Sequence, residues 1–239
     1  NPALFMAIRQ SRFLPGPSMV CRSACRSSAA TSPIHPCSPW PSRWNETGPG
    51  RGSRPGDRPG WHDRSVSDPL RVAYALEQCW HDVPGGTAVA ALEVAKRLAV
   101  RSDVDLVGVA GRHRTAPKPG FEPPTSVEHL PLARPWLYET WNRFEWPLVE
   151  RATGPVDVCH STTSIPGATR APHVVTIHDV AFMHSPERFT SHGVKVMTRG
   201  LGRGRSADLV ICPTEVTKGD LIDAGFAANA IRVVPLGVN

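Results

Sequence analysis

Short apolar runs alternate with amphipathic stretches from residue 70 to the end of the chain. Near-continuous apolar runs of about four to eight residues are typical of strands that are covered on both faces. The pattern predicts seven strands: Leu70–Leu76, Val104–Ala110, His129–Leu132, Val156–His160, His173–His178, Asp208–Cys212 and Ile231–Leu236. Apolar residues that recur at three and four positions predict helices: Ala88–Val100, Trp136–Ala152 with a break at Pro147, Phe189–Arg203 and Glu215–Ala224.

Alternation of strands and helices indicates the α/β fold class. We predict a Rossmann-like, doubly wound and mainly parallel sheet, and residues 69–239 have the length of one domain, since domains usually hold about 50 to 250 residues. Trp136, Trp141 and Trp146 recur every five residues, a spacing that does not keep to one helical face. We interpret these three tryptophans as parts of the core and of a cleft wall.

The first 68 residues differ from the rest in composition and charge. They hold ten Pro, eleven Ser, nine Arg and six Gly without a periodic apolar pattern, which predicts a disordered leader. Nine Arg against four acidic residues give this stretch a charge of +5, whereas residues 69–239 carry +1. Because the basic charge belongs to the leader, it does not indicate that the domain binds nucleic acid.

Several protein classes do not fit the sequence. No apolar run approaches the roughly 20 residues that span a bilayer, and Arg9 and Arg12 interrupt the only apolar stretch near the N-terminus, which excludes a secretory signal. The six cysteines form no CxxC pair and show no zinc-site spacing. We therefore predict reduced thiols in a cytoplasmic protein.

The first candidate for chemistry is the loop between the first strand and the first helix. Gly85 and Gly86 would let a ligand approach the backbone, and free amides at the start of a helix favour an anion such as a diphosphate. The alternative is a tight turn in which Thr87 caps the helix. The spacing leaves both interpretations open, since neither GxGxxG nor a P-loop lysine is present.

The second candidate lies at the end of the strand His173–His178. Ligands of open α/β sheets bind at the carboxyl ends of the strands, so polar residues there are candidates for function. His178 could exchange a proton near neutral pH, and Asp179 could orient an imidazole or cap the next turn. The alternative is a structural histidine beside an Asx turn.

The third candidate is the segment that begins at His160 and Ser161, which we expect at the same edge of the sheet. It would supply an imidazole and hydroxyl groups to a shared cleft, or it is a polar loop that caps its own backbone. A serine nucleophile is not indicated, because the GxSxG context is absent. The histidines form no HExxH motif, so we predict no metal site.

Five segments, taken in order, resemble the N-terminal half of family 4 glycosyltransferases of the GT-B fold, in particular bacterial mannosyltransferase-like members. They are VPGGT with its preceding strand, VDVCHSTTSIPG, VVTIHDVAFMHSPERFT, ADLVICPTEVTKGDLIDAG and IRVVPLGVN. The resemblance covers nearly all of residues 70–239 and none of residues 1–68. It implies retaining transfer of a sugar, of mannose or glucose type, from a GDP- or UDP-linked donor to an acceptor hydroxyl.

The resemblance also implies roles for individual residues. The donor diphosphate falls on Gly85, Gly86 and Thr87, and the histidine of the T-x-H-D segment, His178, lies beside the transferred sugar. Asp179 then fixes the loop, and no metal or other cofactor is expected. The donor phosphate itself assists deprotonation of the acceptor in this family, so no protein nucleophile is needed.

The resemblance ends at Asn239, where the family's linker leads into a C-terminal donor-binding domain with paired glutamates. Because both walls of the cleft contribute to catalysis, the 239-residue chain alone is expected to be inactive. Two other readings stay open: a non-catalytic remnant or acceptor-binding module, and a GT-B epimerase or phosphorylase. The expected partners are the nucleotide-sugar and a carbohydrate or lipid-linked acceptor, with at most peripheral contact to the inner face of the membrane.

Overall fold

The computed structural model describes residues 68–237, so the predicted leader lies, apart from Asp68, outside the described residues. Within this range the strands are β1 (Leu70–Ala75), β2 (Val104–Ala110), β3 (Val127–His129), β4 (Val158–Ser161), β5 (His173–Thr176), β6 (Leu209–Cys212) and β7 (Ile231–Val233). The α-helices are α1 (Gly85–Ala99), α2 (Arg134–Phe144), α3 (Glu150–Thr153), α4 (Ala181–His184), α5 (Ser191–Gly204) and α6 (Glu215–Asp223). Short 3-10 turns occupy Glu77–Trp80, Pro186–Arg188 and Ala228–Ala230.

The seven strands form one parallel sheet in the order β3-β2-β1-β4-β5-β6-β7. From β1 the chain moves outward to β2 and β3, then returns to β4 on the other side of β1 and continues outward to β7. Val72 of β1 accordingly pairs with Leu106 on one side and Val158 on the other. This topology confirms the predicted Rossmann-like, doubly wound α/β fold and places its switch point between β1 and β4.

Side chains of each strand alternate between two separate apolar layers. On one face, Val72 and Tyr74 of β1 pack with Ala91, Leu92 and other residues of α1. On the opposite face, the intervening Ala73 packs with Leu137 and Trp141 of α2. The second half of the sheet contributes Val175 and Val210 to a further cluster with Leu201 of α5 and Leu221 of α6. The near-continuous apolar strands are therefore explained by cover on both faces.

Most predicted elements are present, with shifted ends. The prediction for β2 matches its bounds, whereas the short third strand was placed too late and occupies Val127–His129. The stretch Trp136–Ala152, predicted to be helical with a break at Pro147, forms two helices, α2 and α3, on either side of that proline; the chain leaves the helical conformation at Glu145, whose φ is 51°. No helix among residues 68–237 is both long enough and apolar enough to cross a bilayer.

Of the three tryptophans interpreted as core and cleft wall, one lies in the core. Trp141 is buried and its indole N–H donates to the carbonyl oxygen of Pro147 at 2.9 Å. Trp136 and Trp146 are 69% and 41% exposed. Trp136 and Trp141 both belong to α2, and a five-residue spacing places them on different faces of the helix, of which only that of Trp141 meets the sheet.

Candidate functional site

The carboxyl ends of β1 and β4 meet at the switch point of the sheet. The three predicted site regions lie at the carboxyl ends of β1, β4 and β5. The loop after β1 leads into α1 at Gly85. β4 itself ends with His160 and Ser161, and β5, next to it, leads into His178. Neighbouring parallel strands bring these three segments to one edge, which is the position of ligand sites in open α/β folds.

The glycine loop is open to solvent. Gly85 has a φ of +66°, a conformation that favours glycine, and Gly86 has ordinary backbone angles. A Cβ atom built on either glycine would meet no other atom within 4 Å, so the space above the first turn of α1 is free. The backbone amides of this turn have no partner within the helix and can bind an anion.

Thr87 does not cap α1, contrary to one reading of the loop. The helix begins at Gly85 and its cap position is Pro84, which makes no side-chain cap hydrogen bond. A residue must precede the helix to cap it, and Thr87 is the third residue of α1.

His178 follows β5 and lies half-buried beside the cavity described below. Desolvation by burial lowers the pKa of its imidazole, partly opposed by the nearby Asp179 carboxylate and by a hydrogen bond to the backbone of Thr162. The imidazole is therefore neutral at pH 7. A neutral imidazole can donate one hydrogen bond and accept another.

His160 occupies the floor of the site, with 1% of its surface exposed. Its Nε2 atom lies 2.8 Å from Oγ1 of Thr176, and its ring meets the ring of Tyr74 edge to face at 5.0 Å. Burial, followed by the neighbouring imidazoles of His173 and His178, lowers the pKa of His160 to about 3. Its Nδ1 atom is buried and has no hydrogen-bond partner.

A cavity of about 490 Å³ joins several of these groups. Among the predicted site residues it brings together Gly86, His160 and His178. Gly85, Thr87, Ser161 and Asp179 do not line it. Most of its wall is apolar, and the polar or charged side chains that line it, besides the two histidines, are Tyr74, Glu93, Arg97, Thr162, Thr176 and Cys212.

Ser161 and Asp179 have other partners. Oγ of Ser161 lies 2.8 Å from Nε2 of His173 and accepts a hydrogen bond from the amide of Gly167 at 2.9 Å. The carboxylate of Asp179 accepts from the amide of Ala181 at 2.9 Å, at the start of α4. Ser161 thus ties β4 to the connection that follows it, and Asp179 holds the loop after His178.

A second group of polar side chains at the same edge was not predicted. Glu77, 3% exposed, accepts from the amide of Gly111 at 2.6 Å, and the same carboxylate oxygen lies 3.1 Å from Nε2 of His113. The ring of His113 stacks on Trp80 at 4.6 Å. The position of Glu77 directly after β1 was a usable signal, because it places a carboxylate at the carboxyl end of a strand.

The third predicted segment continues into Thr162, which lines the cavity and also joins two strand ends. Its hydroxyl donates to the carbonyl oxygen of Ala75 at 2.7 Å and accepts from the side-chain amide of Gln78 at 2.5 Å. These bonds fix the end of β4 against the end of β1. Residues 68–237 contain no group of three or more His, Cys, Asp or Glu side chains placed to hold a metal ion.

The arrangement combines three chemical properties. Main-chain amides at the start of α1 suit an anionic group, two neutral imidazoles suit hydroxyl groups, and the apolar wall suits the carbon face of a ring. No serine or cysteine in the cavity has an adjacent base that would make it a nucleophile: Cys212 is buried, and desolvation raises the pKa of its thiol.

The solved structures that resemble this chain include structures of Anabaena HepE, among them one in complex with UDP and glucose and one with UDP-glucose. Each is 19% identical to this chain with a TM-score of 0.43 and is matched over 71% of it. The chain spans 45% and 44% of the length of those chains, less than half.

A search of curated proteins gives no match. The family model of Glycosyltransferase Family 4, in contrast, matches residues 84–239, which is more than half of the chain and includes the glycine loop, β4 and the segment around His178. The fold agrees with the resemblance found in the sequence, and the chain therefore belongs to Glycosyltransferase Family 4.

Proposed function

We propose that residues 69–239 form the acceptor-side domain of a retaining glycosyltransferase. The enzyme transfers a hexose of mannose or glucose type from a GDP- or UDP-linked donor to the hydroxyl group of a carbohydrate or lipid-linked acceptor. One observation carries the proposal: Gly86, His160 and His178 line a single cavity at the switch point of the sheet. Family membership supports the type of reaction.

The donor diphosphate is proposed to lie over the first turn of α1. Both glycines are exposed and leave the space above them free, and the helix has 15 residues, so its N-terminal amides present a substantial positive potential. Backbone amides would neutralise part of the phosphate charge without a metal ion. We accordingly keep the prediction of a reaction without metal or other cofactor.

His178 is proposed to contact the transferred sugar. Its imidazole is neutral at pH 7, because burial lowers the pKa, and a neutral ring can hydrogen-bond a sugar hydroxyl without attracting the diphosphate. The retaining step is then front-face attack, in which the donor phosphate takes the proton of the acceptor. A cytoplasmic location, with at most peripheral membrane contact and no nucleic-acid partner, completes the proposal.

The 239-residue chain is expected to release no sugar above the uncatalysed rate from UDP-glucose or GDP-mannose. Catalysis requires electrostatic stabilisation from both walls of a cleft, and residues 69–239 are proposed to form one of them. Nucleotide release measured by chromatography, with and without simple acceptor sugars, tests this expectation. Turnover at about 1 s⁻¹ or more, an ordinary enzymatic rate, would contradict it.

The reading frame beyond Asn239 separates the transferase from a remnant. A frame that continues into a second α/β domain with paired glutamates supports the transferase. A stop codon after Asn239 supports a non-catalytic acceptor-binding module. Sequencing of the transcript beyond the codon for Asn239 decides between the transferase and the remnant, because only the transferase requires an open reading frame there.

Gly86→Val is expected to weaken binding of UDP-glucose or GDP-mannose about 10-fold or more in the polypeptide that carries both walls of the cleft. A Cβ at this position meets no neighbouring atom, so the folded chain should tolerate valine, but its methyl groups would fill the space assigned to the diphosphate. Isothermal titration calorimetry measures the affinity, and urea denaturation checks that stability changes by less than about 1 kcal/mol.

Gly219→Val is the matched control, because Gly219 is an exposed glycine of α6 with equally free space and lies outside the cavity. The affinity of the Gly219→Val variant for UDP-glucose and for GDP-mannose should equal that of the unmodified protein. Equal affinities for the Gly86 and Gly219 variants would contradict the assignment of the diphosphate to α1.

A further inference from the structure

The exposed aromatic side chains of the domain are confined to one part of its surface. Among residues 68–237, the tryptophan and phenylalanine side chains that are exposed are Trp136, Phe144, Trp146 and Phe189. The first two belong to α2, Trp146 lies two residues after its end, and Phe189 lies two residues before α5 begins. The exposed large apolar side chains elsewhere are aliphatic. Exposed apolar groups that cluster in this way mark an interaction surface.

The helices that carry these rings, α2 and α5, lie side by side. The side-chain amide of Asn142 in α2 donates to the carbonyl oxygen of Val196 in α5 at 3.1 Å. The carboxylate of Glu139 in α2 lies 3.4 Å from a guanidinium nitrogen of Arg199 and 3.9 Å from Nε2 of His192, both in α5. The exposed faces of the two helices therefore form one continuous surface.

α5 gives this surface a positive charge. Its sequence contains no acidic residue, and its basic residues are His192, Lys195, Arg199 and Arg203. Lys195 and Arg199 are exposed, and their spacing of four positions places them on the same side of the helix. Residues 69–239 as a whole carry only +1, so the basic charge of the domain is concentrated here.

The acidic side chains beside α5 are paired. Glu139 lies 3.0 Å from Nε of Arg143 and also contacts Arg199. Glu145 lies 3.5 Å from Nε of Arg203. These pairs offset the two carboxylates of α2 and its cap residue, so Lys195 adds a net positive charge to the surface.

We infer that this aromatic and basic surface docks on a bilayer that contains anionic lipids. Its members are the four exposed rings together with Lys195 and Arg199. Aromatic rings favour the headgroup level of a bilayer, and lysine and arginine are attracted to anionic lipids. The inference rests on the proposed function in one respect: it names the surface by which the domain approaches a lipid-linked acceptor.

The distribution of the rings fits a lipid surface. Trp136 and Phe144 are eight residues apart, about 12 Å along α2, and are 69% and 72% exposed. Both lie away from the buried residues of that helix, Leu137 and Trp141. Rings that are spread in this way can enter the headgroup layer independently, whereas a peptide-binding site gathers its anchors in a groove.

Co-sedimentation of the 239-residue chain with lipid vesicles tests the inference. Vesicles of phosphatidylcholine with about 30% phosphatidylglycerol should bind the chain about 10-fold or more tightly than vesicles of phosphatidylcholine alone. Lys195→Gln combined with Arg199→Gln should weaken this binding about 10-fold or more. Trp136→Ser combined with Phe144→Ser should weaken it by about the same factor, because the rings no longer enter the headgroup layer.

The matched controls make the same chemical changes elsewhere. Lys96→Gln combined with Arg101→Gln removes two exposed positive charges in and directly after α1, which covers the opposite face of the sheet. Val216→Ser removes a 76% exposed apolar side chain of α6. Each control should keep the vesicle affinity within about 3-fold, since charges beyond the Debye length of about 10 Å are largely screened. Circular dichroism checks that every variant is folded.

Absence of binding to the anionic vesicles overturns the inference. The leader with its nine arginines is present in every variant, so binding that neither surface variant weakens belongs to the leader and also overturns it. A surface that serves a second copy of the chain would give a dimer in sedimentation velocity without lipid. Loss of that dimer in the Trp136 and Phe144 variant, with vesicle binding unchanged, would likewise overturn it.

The vesicles contain neither a sugar donor nor an acceptor, so the inference and the proposed function can fail separately. Vesicle binding by a polypeptide that carries both walls of the cleft but transfers no sugar would refute the proposed function and leave the docking surface standing. Sugar transfer by a polypeptide that does not bind the vesicles would do the opposite.

Discussion

His178→Ala is expected to lower sugar transfer about 100-fold or more in the polypeptide that carries both walls of the cleft. Loss of a positioned hydrogen-bonding or proton-transferring group in an active site commonly has this effect, equivalent to about 2.7 kcal/mol of transition-state stabilisation. His178 lines the cavity. The ratio kcat/KM for UDP-glucose or GDP-mannose measures the loss.

The matched control is His184→Ala. His184 lies six residues further along, and its side chain is 62% exposed and pairs with Asp220 at 3.2 Å. It does not line the cavity, so its removal should leave kcat/KM within about 2-fold. A loss of less than about 5-fold for His178→Ala, or equal losses for both variants, would contradict the role proposed for His178.

The pH dependence gives an independent measurement on the same residue. Burial lowers the pKa of His178, so the ring takes up its proton at a lower pH than an ordinary histidine does. The neutral form is the active one in the proposal. Transfer should therefore be insensitive to the protonation of His178 above about pH 6.5, the ordinary value, and should fall only on the acid side.

The sequence contained enough information for the fold, because the strands are nearly continuous apolar runs between helices. Residues 104–110, VDLVGVA, show this most clearly, and their predicted bounds are those of β2. The start of α1 was predicted three residues late, since glycines in a row suggest a loop. Only the three-dimensional structure shows that Gly85, with a φ of +66°, already begins the helix.

The site was predicted in part for a similar reason. His160 and Ser161 were assigned to one cleft, but β4 extends through Ser161, and successive side chains of a strand point to opposite faces. His160 consequently lines the cavity, whereas Ser161 bonds to His173 on the other side. A strand prediction that ended one residue later would have separated the two.

The contact between Glu77 and His113 was beyond the reach of the sequence. It joins the ends of β1 and β2 across 36 positions of the chain, and only the parallel register of the two strands places those ends side by side. Strand ends can be predicted from local patterns, but the alignment of one strand with another depends on the whole sheet.

Gly200→Ala is expected to destabilise the fold by about 2 to 3 kcal/mol, the cost of overpacking a tight contact. Gly200 lies on the buried face of α5, where a Cβ would stand 2.5 Å from the carbonyl oxygen of Ser164 and 3.1 Å from Cα of Ile165. Both are backbone atoms, which cannot move aside as a flexible side chain could. Urea denaturation followed by circular dichroism measures the change in the free energy of unfolding.

Gly202→Ala should have the opposite sign, although it makes the same chemical change two residues further along α5. A Cβ on Gly202 meets no atom within 4 Å, so alanine brings its higher helix propensity, up to about 1 kcal/mol, without a clash. The difference between the variants isolates the close approach of α5 to the Ser164–Ile165 segment. That segment follows Thr162, which bonds to the end of β1, so a variant that displaces it should also disturb the cavity. A gain in stability in both variants would show that the contact with the Ser164–Ile165 segment does not require glycine at position 200.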